Sequence, residues 1–154
     1  MRARGLMVLG AVLLTAGMLQ AKDGHGWLTD FEAAKAQAAE KKVPILVNFS
    51  GSDWCGWCIR LDKEVFSQEA FTAFAASGAV VLFEADFPQR KEQSAELKQQ
   101  NSHLQHKYGI RGFPTVLLLN AEGAVLGRTG YQRGGAEAYV EHLKALLAKA
   151  AAEG

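Results

Sequence analysis

The feature that most constrains this chain is its cysteine usage. Its two cysteines stand three positions apart, in Trp54-Cys55-Gly56-Trp57-Cys58. The apolar run from Ile45 to Phe49 precedes them and predicts a buried strand, and the residues from Cys55 onward predict a helix. The unpaired N–H groups and the dipole at the N-terminus of such a helix stabilise a thiolate on Cys55.

The spacing of the two cysteines predicts disulfide exchange. A thiolate is the attacking species in that reaction, so we expect Cys55 to be the nucleophile. Cys58 falls on the same side of the first helical turn. It is expected to close on Cys55 and release a mixed disulfide. Trp54 and Trp57 add apolar surface around the sulfurs, which suits the docking of a loosely folded substrate segment.

Three other interpretations of the cysteine pair stay open. In the first it is a static disulfide, although such a short loop adds little entropic stabilisation. In the second it is half of a zinc site with His103 and His106, which also have ligand spacing. In the third it handles Cu(I), which prefers soft thiolates. Disulfide exchange is favoured over all three, and we expect no metal or organic cofactor besides the redox-active pair itself.

The N-terminal residues predict export. Arg2 and Arg4 precede an uncharged, mostly apolar stretch from Gly5 to Leu19, and polar residues begin at Lys22. This layout is typical of a signal peptide, here residues 1–21. An uncleaved membrane anchor is the alternative, although the stretch is short for a bilayer span. Thiols outside the cytosol are oxidised unless they are actively reduced, so a periplasmic or secreted protein with a C-x-x-C pair is a redox candidate.

The rest of the chain predicts one domain. Residues 22–28 are expected to be a flexible lead-in, and residues 29–154 a single domain, because no linker or internal repeat divides them. The hydrophobic fraction of 49% is sufficient for a packed core. The formal net charge of +1 excludes the broad basic field of a nucleic-acid-binding protein.

The order of the predicted elements indicates an α/β fold. Helices and strands follow one another as αβααβαββα, which predicts a central mixed sheet with helices on both faces. Thr29, with Glu32, and Ser67 are expected to cap the first and third helices. Besides the strand and helix at the cysteines, the predicted elements are helices 30–41, 68–76, 94–107 and 136–152 and strands 79–85, 115–120 and 124–128.

These segments resemble the thioredoxin family. Pro44 to Phe49 followed by Asp53 to Cys58 is similar to the family's strand, loop and active-site helix. Lys107 to Thr115, which contains Gly-Phe-Pro-Thr, is similar to the segment that carries its cis-proline. The resemblance implies a thioredoxin fold over most of the chain. It also implies that Pro114 is cis and lies beside the cysteines, where Phe113 offers its backbone to a substrate strand.

The resemblance extends to Gly130, which matches the family's substrate-groove glycine, but three features depart from classical thioredoxin. Asn48 occupies the place of a buried acid that exchanges a proton with the resolving thiol. Trp57 replaces a proline between the cysteines, and residues 88–106 form a helical insertion before the cis-proline. Asp62 matches an acidic residue near the site of a related periplasmic domain and is expected to tune proton transfer. The residues expected to tune the cysteine pair are Trp54, Gly56, Trp57, Asp62 and Asn48.

Together these features predict an exported thiol–disulfide oxidoreductase. The absence of charge on Trp57 favours a disulfide reductase acting on protein substrates. We expect a monomer that binds no nucleic acid and is reset by an upstream thiol reductant, for which a membrane electron conductor is one candidate. A disulfide oxidase or isomerase is the alternative within the enzyme class. A metal-binding or partner-binding protein with the same fold is the alternative outside it.

Overall fold

The structure, a computed structural model, describes residues 21–22 and 26–153. The predicted signal peptide lies outside the described residues except for Ala21. The strands are β1 (Ala21–Lys22), β2 (Trp27–Leu28), β3 (Ile45–Ser50), β4 (Val81–Asp86), β5 (Thr115–Leu119) and β6 (Val125–Thr129). The helices are α1 (Phe31–Lys41), α2 (Gly56–Leu61), α3 (Glu69–Ala76), α4 (Ala95–Lys107) and α5 (Gly135–Glu153), with a π-helical segment (Asp62–Phe66) directly after α2.

The described strands form one mixed sheet in the order β1-β2-β4-β3-β5-β6. Every residue of β3 is buried, as expected of a continuous apolar strand at the centre of a sheet. β3 pairs in parallel with β4 and antiparallel with β5, and β5 continues into the hairpin strand β6. The predicted architecture, a mixed sheet with a helical insertion before the cis-proline strand, is confirmed.

Two hydrophobic clusters pack the helices against opposite faces of this sheet. Val47 and Phe83 belong to the cluster that includes Phe31 of α1 and Leu104 of α4. The second cluster joins sheet residues to α2, α3, α5 and the π-helical segment; its members include Leu46, Leu82, Leu61, Phe66, Phe71 and Tyr139. Because side chains alternate between the faces of a strand, Asn48 lies on the same face as Leu46, towards α2.

The N-terminal lead-in differs from the prediction of a flexible segment. Trp27 and Leu28 are buried, and β2 pairs in parallel with β4 through Leu28 and Phe83. The Trp27 ring packs edge-on against Phe66, with the ring centroids 5.1 Å apart. A strand of two residues is too short for a periodic sequence pattern, and its stability comes from these distant partners. Residues 27–28 of the expected lead-in are therefore part of the sheet.

Two of the predicted helix caps are displaced by one residue. Asp30, not Thr29, is the N-cap of α1, and its Oδ1 accepts a hydrogen bond from the Ala33 N–H at 3.0 Å. Gln68, not Ser67, is the N-cap of α3, while the Ser67 hydroxyl donates to the backbone carbonyl of Asp62. Aspartate is among the strongest N-cap residues, which accounts for Asp30. Gln68 makes no side-chain capping bond, and Ser67 instead closes the π-helical segment as its C-cap.

The helical insertion contains a buried polar anchor. Ser94, where the sequence predicted this helix to begin, is its N-cap, since its Oγ accepts a hydrogen bond from the Leu97 N–H at 3.2 Å. Asn101 of α4 is buried, and its Nδ2 donates to the Asp86 carbonyl at 2.9 Å. α4 is therefore tied to the end of β4, close to the loop that carries the cysteines. Within the described residues, no helix has both the length and the apolar character required to cross a membrane.

Candidate active site

The two cysteines form a disulfide at the start of α2, where the sequence predicted that a helix begins. Cys55 is the N-cap of α2, and its Sγ accepts a hydrogen bond from the Cys58 N–H at 3.3 Å. Cys58 Sγ accepts from the Gly51 N–H at 3.5 Å. Only 7% of Cys55 and 4% of Cys58 is exposed. A backbone N–H group at the helix N-terminus, that of Cys58, therefore faces the sulfur on which the sequence predicts a thiolate.

The cis-proline loop lies against the active-site loop. The Phe113–Pro114 peptide bond is cis. Trp54, the residue before Cys55, meets Phe113 edge to face with the ring centroids 6.0 Å apart. At Gly130 an added Cβ would lie 3.2 Å from the Pro114 carbonyl oxygen, which is tighter than most real contacts. The structure thus brings together three segments that the sequence predicted to meet.

Trp54 is held in place although 39% of it is exposed. Its indole Nε1–H donates to the Phe87 carbonyl at 2.7 Å. The indole also covers Gly51 so closely that a Cβ there would lie 2.5 Å from Trp54 Cε2. A glycine is therefore needed at position 51, and the apolar surface that Trp54 offers beside the disulfide has a defined orientation.

Asp53 connects the active-site loop to the start of the insertion, which the sequence did not predict. Its carboxylate accepts backbone N–H bonds from Gln89 at 2.9 Å and from Arg90 and Lys91 at 2.8 Å each. These bonds lower the pKa of Asp53 below its ordinary value of 3.8, and the bond from Gln89 has the largest effect. The backbone N–H and the hydroxyl of Ser52 also donate hydrogen bonds to the carboxylate of Asp86, at 2.9 and 2.6 Å.

We expect Asp53→Asn to loosen the segment 89–91. The amide has one acceptor oxygen in place of two, so it cannot accept all three backbone bonds. Because the folded-state pKa of Asp53 lies below 3.8, the ionised carboxylate stabilises the loop above that pH, and this contribution is lost as pH falls through the folded-state pKa. Amide hydrogen exchange at Gln89, Arg90 and Lys91 measures the effect.

In wild type the protection factors of these amides, which correct for the pH dependence of intrinsic exchange, should be high at neutral pH and fall in acid, whereas in Asp53→Asn they should be lower than in wild type at neutral pH and change little in acid. The matched control is Asp30→Asn, which alters a carboxylate cap far along the sequence and should leave segment 89–91 protected. Equal protection in wild type and Asp53→Asn at neutral pH would show that the carboxylate does not hold the loop.

Trp57 is 50% exposed and is the centre of a second cluster, which we call the Trp57 cluster: Trp57, Arg60, Glu64 and Tyr131. The Trp57 and Tyr131 rings are 5.0 Å apart, and the Arg60 guanidinium lies over both, 5.4 Å from Trp57 and 5.7 Å from Tyr131. Glu64 accepts from Arg60 Nε and from the Tyr131 hydroxyl, each at 2.6 Å. These two hydrogen bonds lower the pKa of Glu64, and the bond from Tyr131 has the larger effect.

The Trp57 cluster was only partly predictable. Arg60 and Glu64 stand four positions apart, a spacing at which opposite charges meet on a helix. Tyr131 comes from the loop after β6, and nothing in its local sequence connects it to Trp57. Because Glu64 pairs with Arg60, the guanidinium beside Trp57 is a compensated charge.

Asn48 and Asp62, both predicted to tune the site, line one cavity with Cys58. The cavity has a volume of about 280 Å³. Asn48 is 5% exposed, and within residues 21–22 and 26–153 its Oδ1 has no hydrogen-bond partner. Asp62 begins the π-helical segment and is exposed. Glu84 and Lys91, which the sequence did not single out, line the same cavity.

The two histidines of the zinc alternative are distant from the cysteines in the sequence. His103 and His106 are exposed residues of α4. Among residues 21–22 and 26–153, no group of three or more histidine, cysteine or acidic side chains is arranged to hold a metal ion. The expectation that the protein needs no metal stays a prediction.

A C-x-x-C disulfide at a helix N-terminus, next to a cis-proline loop on a mixed sheet, defines the thioredoxin-fold thiol–disulfide oxidoreductases as a class. Residues 31–147 match the family described as thioredoxin-like domain. The chain is 37% identical over 121 residues to the disulfide bond reductase DsbH of Chlamydia pneumoniae, covering 79% of this chain and 72% of that protein. It belongs to the thioredoxin-like family, and its Cys55–Cys58 pair makes it a thiol–disulfide oxidoreductase.

Two further similarities agree with this assignment. A solved structure of the DsbH oxidoreductase superposes with a TM-score of 0.75 and 32% identity, covering 94% of this chain and 95% of that one. The thioredoxin-related protein DsbJ of Chlamydia pneumoniae is 32% identical over 125 residues, which are 81% of this chain and 36% of that protein. The predicted thioredoxin fold is thereby confirmed.

Proposed function

We propose that this protein is an exported disulfide reductase that acts on protein disulfides. The observation that carries the proposal is the position of Cys55, whose Sγ accepts the Cys58 N–H at the N-terminus of α2 between two exposed tryptophans. The similarity to a protein named disulfide bond reductase supports the direction of electron flow. The basic and apolar N-terminal residues support export to the periplasm or the medium.

In the proposed cycle the Cys55 thiolate attacks one sulfur of a substrate disulfide. A mixed disulfide forms, and the other substrate sulfur leaves as a thiolate. Cys58 then loses its proton and attacks Cys55 Sγ, which releases the second substrate thiol and forms the Cys55–Cys58 disulfide. The substrate gains two electrons and the pair loses two, so the pair itself carries the redox equivalents. An upstream thiol reductant, from a membrane electron conductor or another donor, must return the pair to the dithiol.

The surface around the pair fits an extended, partly apolar peptide segment. Trp54, Trp57 and Ile59 are the large exposed hydrophobic side chains next to the disulfide. Phe113 and Pro114 form one wall, and Gly130 keeps the space against the Pro114 carbonyl free of a side chain. We propose that the substrate strand lies along Phe113 and Pro114, with its apolar residues on the tryptophans.

The charge balance near Trp57 supports a reductase over an oxidase. A free cation beside the pair would stabilise the thiolate and make the disulfide a stronger oxidant. The Arg60 guanidinium lies 5.4 Å from the centroid of the Trp57 ring, and its charge is paired with Glu64 at 2.6 Å. We therefore expect the Arg60 charge to stabilise the Cys55 thiolate of the reduced protein only slightly.

The redox potential tests the proposed direction. Equilibration of the pair with glutathione, followed by tryptophan fluorescence, should give a value nearer the thioredoxin end, about −270 mV, than the strong-oxidant end, about −120 mV. Glu64→Gln, which leaves Arg60 uncompensated, should shift the potential towards less negative values. The matched control is Glu69→Gln, an exposed carboxylate on α3. A wild-type value at the oxidising end would favour the oxidase or isomerase alternative.

A further inference from the structure

The cavity next to Cys58 contains a buried polar atom that the proposed cycle does not use. Asn48 is 5% exposed and lines the cavity, and its Oδ1 has no hydrogen-bond partner among the described residues. A buried carbonyl oxygen without a partner is unfavourable, and a polar cavity of this size has room for ordered water. Asn48 Oδ1 is therefore an acceptor that could bind a water in the cavity that Cys58 also lines.

Glu84 stands directly beside Asn48 in the sheet. The two residues are paired in the parallel register between β3 and β4, so their side chains leave the same face. Glu84 is half-buried and lines the cavity together with Cys58. The other charged side chains that line it are Asp62, from the π-helical segment, and Lys91, from the loop after β4.

We propose that Glu84 is the proton acceptor for the Cys58 thiol, through water held by Asn48 Oδ1. The proposal rests on the proposed reductase cycle and concerns its second half. Before Cys58 can attack Cys55 Sγ, its S–H proton must leave, and a carboxylate reached through one water can take it. The Cys58 thiolate then forms the Cys55–Cys58 bond, the mixed disulfide breaks, and the released substrate thiolate takes a proton from solvent.

Glu84 suits this role better than Asp62. Asp62 is exposed, so solvent competes for its carboxylate. Glu84 is half-buried on the sheet and is the register partner of the asparagine whose oxygen lacks a partner. The asparagine cannot itself accept the thiol proton as a base, but it can orient the water between the two groups.

Single-turnover reduction of a symmetric aryl disulfide tests the proposal, because each released aryl thiolate absorbs visible light. The first release reports attack by Cys55, and the second reports resolution by Cys58. In Glu84→Gln we expect the first release to keep its rate and the second to slow by about tenfold or more near neutral pH. At high pH hydroxide can remove the Cys58 proton without help from the carboxylate, so the rates of the second release in the two proteins should converge.

A second variant separates proton transfer from a structural effect of the substitution. The double variant Asn48→Asp/Glu84→Gln returns a carboxylate to the same cavity and should restore a fast second release. Glu122→Gln, an exposed residue in the turn before β6, is the control and should match wild type.

Three outcomes would overturn the proposal. They are an unchanged second release in Glu84→Gln, a slowing that persists at high pH, and a slowing seen in Asp62→Asn but not in Glu84→Gln. Absence of even the first release in the wild-type protein would contradict the proposed function itself, and this proposal with it.

Discussion

Replacing Cys55 with serine should abolish disulfide reduction by this protein. A serine hydroxyl at the N-terminus of α2 does not ionise at neutral pH, so the nucleophile of the first step is lost. Insulin reduction by the reduced protein should fall by at least about a thousandfold, towards the uncatalysed rate. The side-chain volume hardly changes, so the fold should survive, which circular dichroism would verify.

Cys58→Ser is the matched variant for this experiment. It keeps the nucleophile and removes the resolving thiol, so a mixed disulfide between Cys55 and the substrate should accumulate and be visible as an added mass. Cys55→Ser should form no such adduct. Full insulin reduction by Cys55→Ser, or adduct formation through Cys58 alone, would show that the assigned order of attack is wrong.

Phe49→Ala should be the most destabilising of the substitutions considered for this protein. Phe49 is fully buried in β3, the central strand that leads into the active-site loop, and it packs against Tyr108 with the ring centroids 6.4 Å apart. Truncation of a buried phenylalanine leaves a cavity and costs about 3–5 kcal/mol of the free energy of unfolding. Urea denaturation of the oxidised protein measures this loss.

The control for Phe49→Ala is Val125→Ala. Val125 is a hydrophobic residue of β6 that is exposed, so its truncation should change the free energy of unfolding by less than about 0.5 kcal/mol. Comparable losses for the two variants would contradict the assignment of Phe49 to the core. Because β3 positions the cysteine loop, partial unfolding of Phe49→Ala should also lower reductase activity at elevated temperature.

Much of the fold was predictable because its signals are local. The apolar run of β3, the helix start at Cys55 and the helix start near Ser94 each depend on residues a few positions apart, and all three are confirmed. The cis-proline was expected from the resemblance of Gly-Phe-Pro-Thr to a family segment, and the structure has it at Phe113–Pro114. The displaced caps show where local patterns fail: Asp30 replaces its polar neighbour Thr29, and Ser67 is occupied by the end of a π-helical segment that the sequence did not predict.

The sequence alone determined the chemistry of this protein. Two cysteines in a C-x-x-C pair leave Cys58 as the partner of Cys55 within the chain, and their place after a buried strand puts Cys55 at a helix N-terminus. These properties depend on the backbone of consecutive residues, so they can be deduced from spacing.

Only the tertiary structure decided what surrounds the pair. The bonds from Asp53 to residues 89–91, the packing of Tyr131 on Trp57 and the shared cavity of Asn48 and Glu84 join residues far apart in the chain. Such contacts arise when the sheet pairs its strands and the helices pack on it, and no local pattern records which distant side chain will be brought close. The reactive group is therefore specified locally, whereas the environment expected to tune it is specified by the packing of the whole domain.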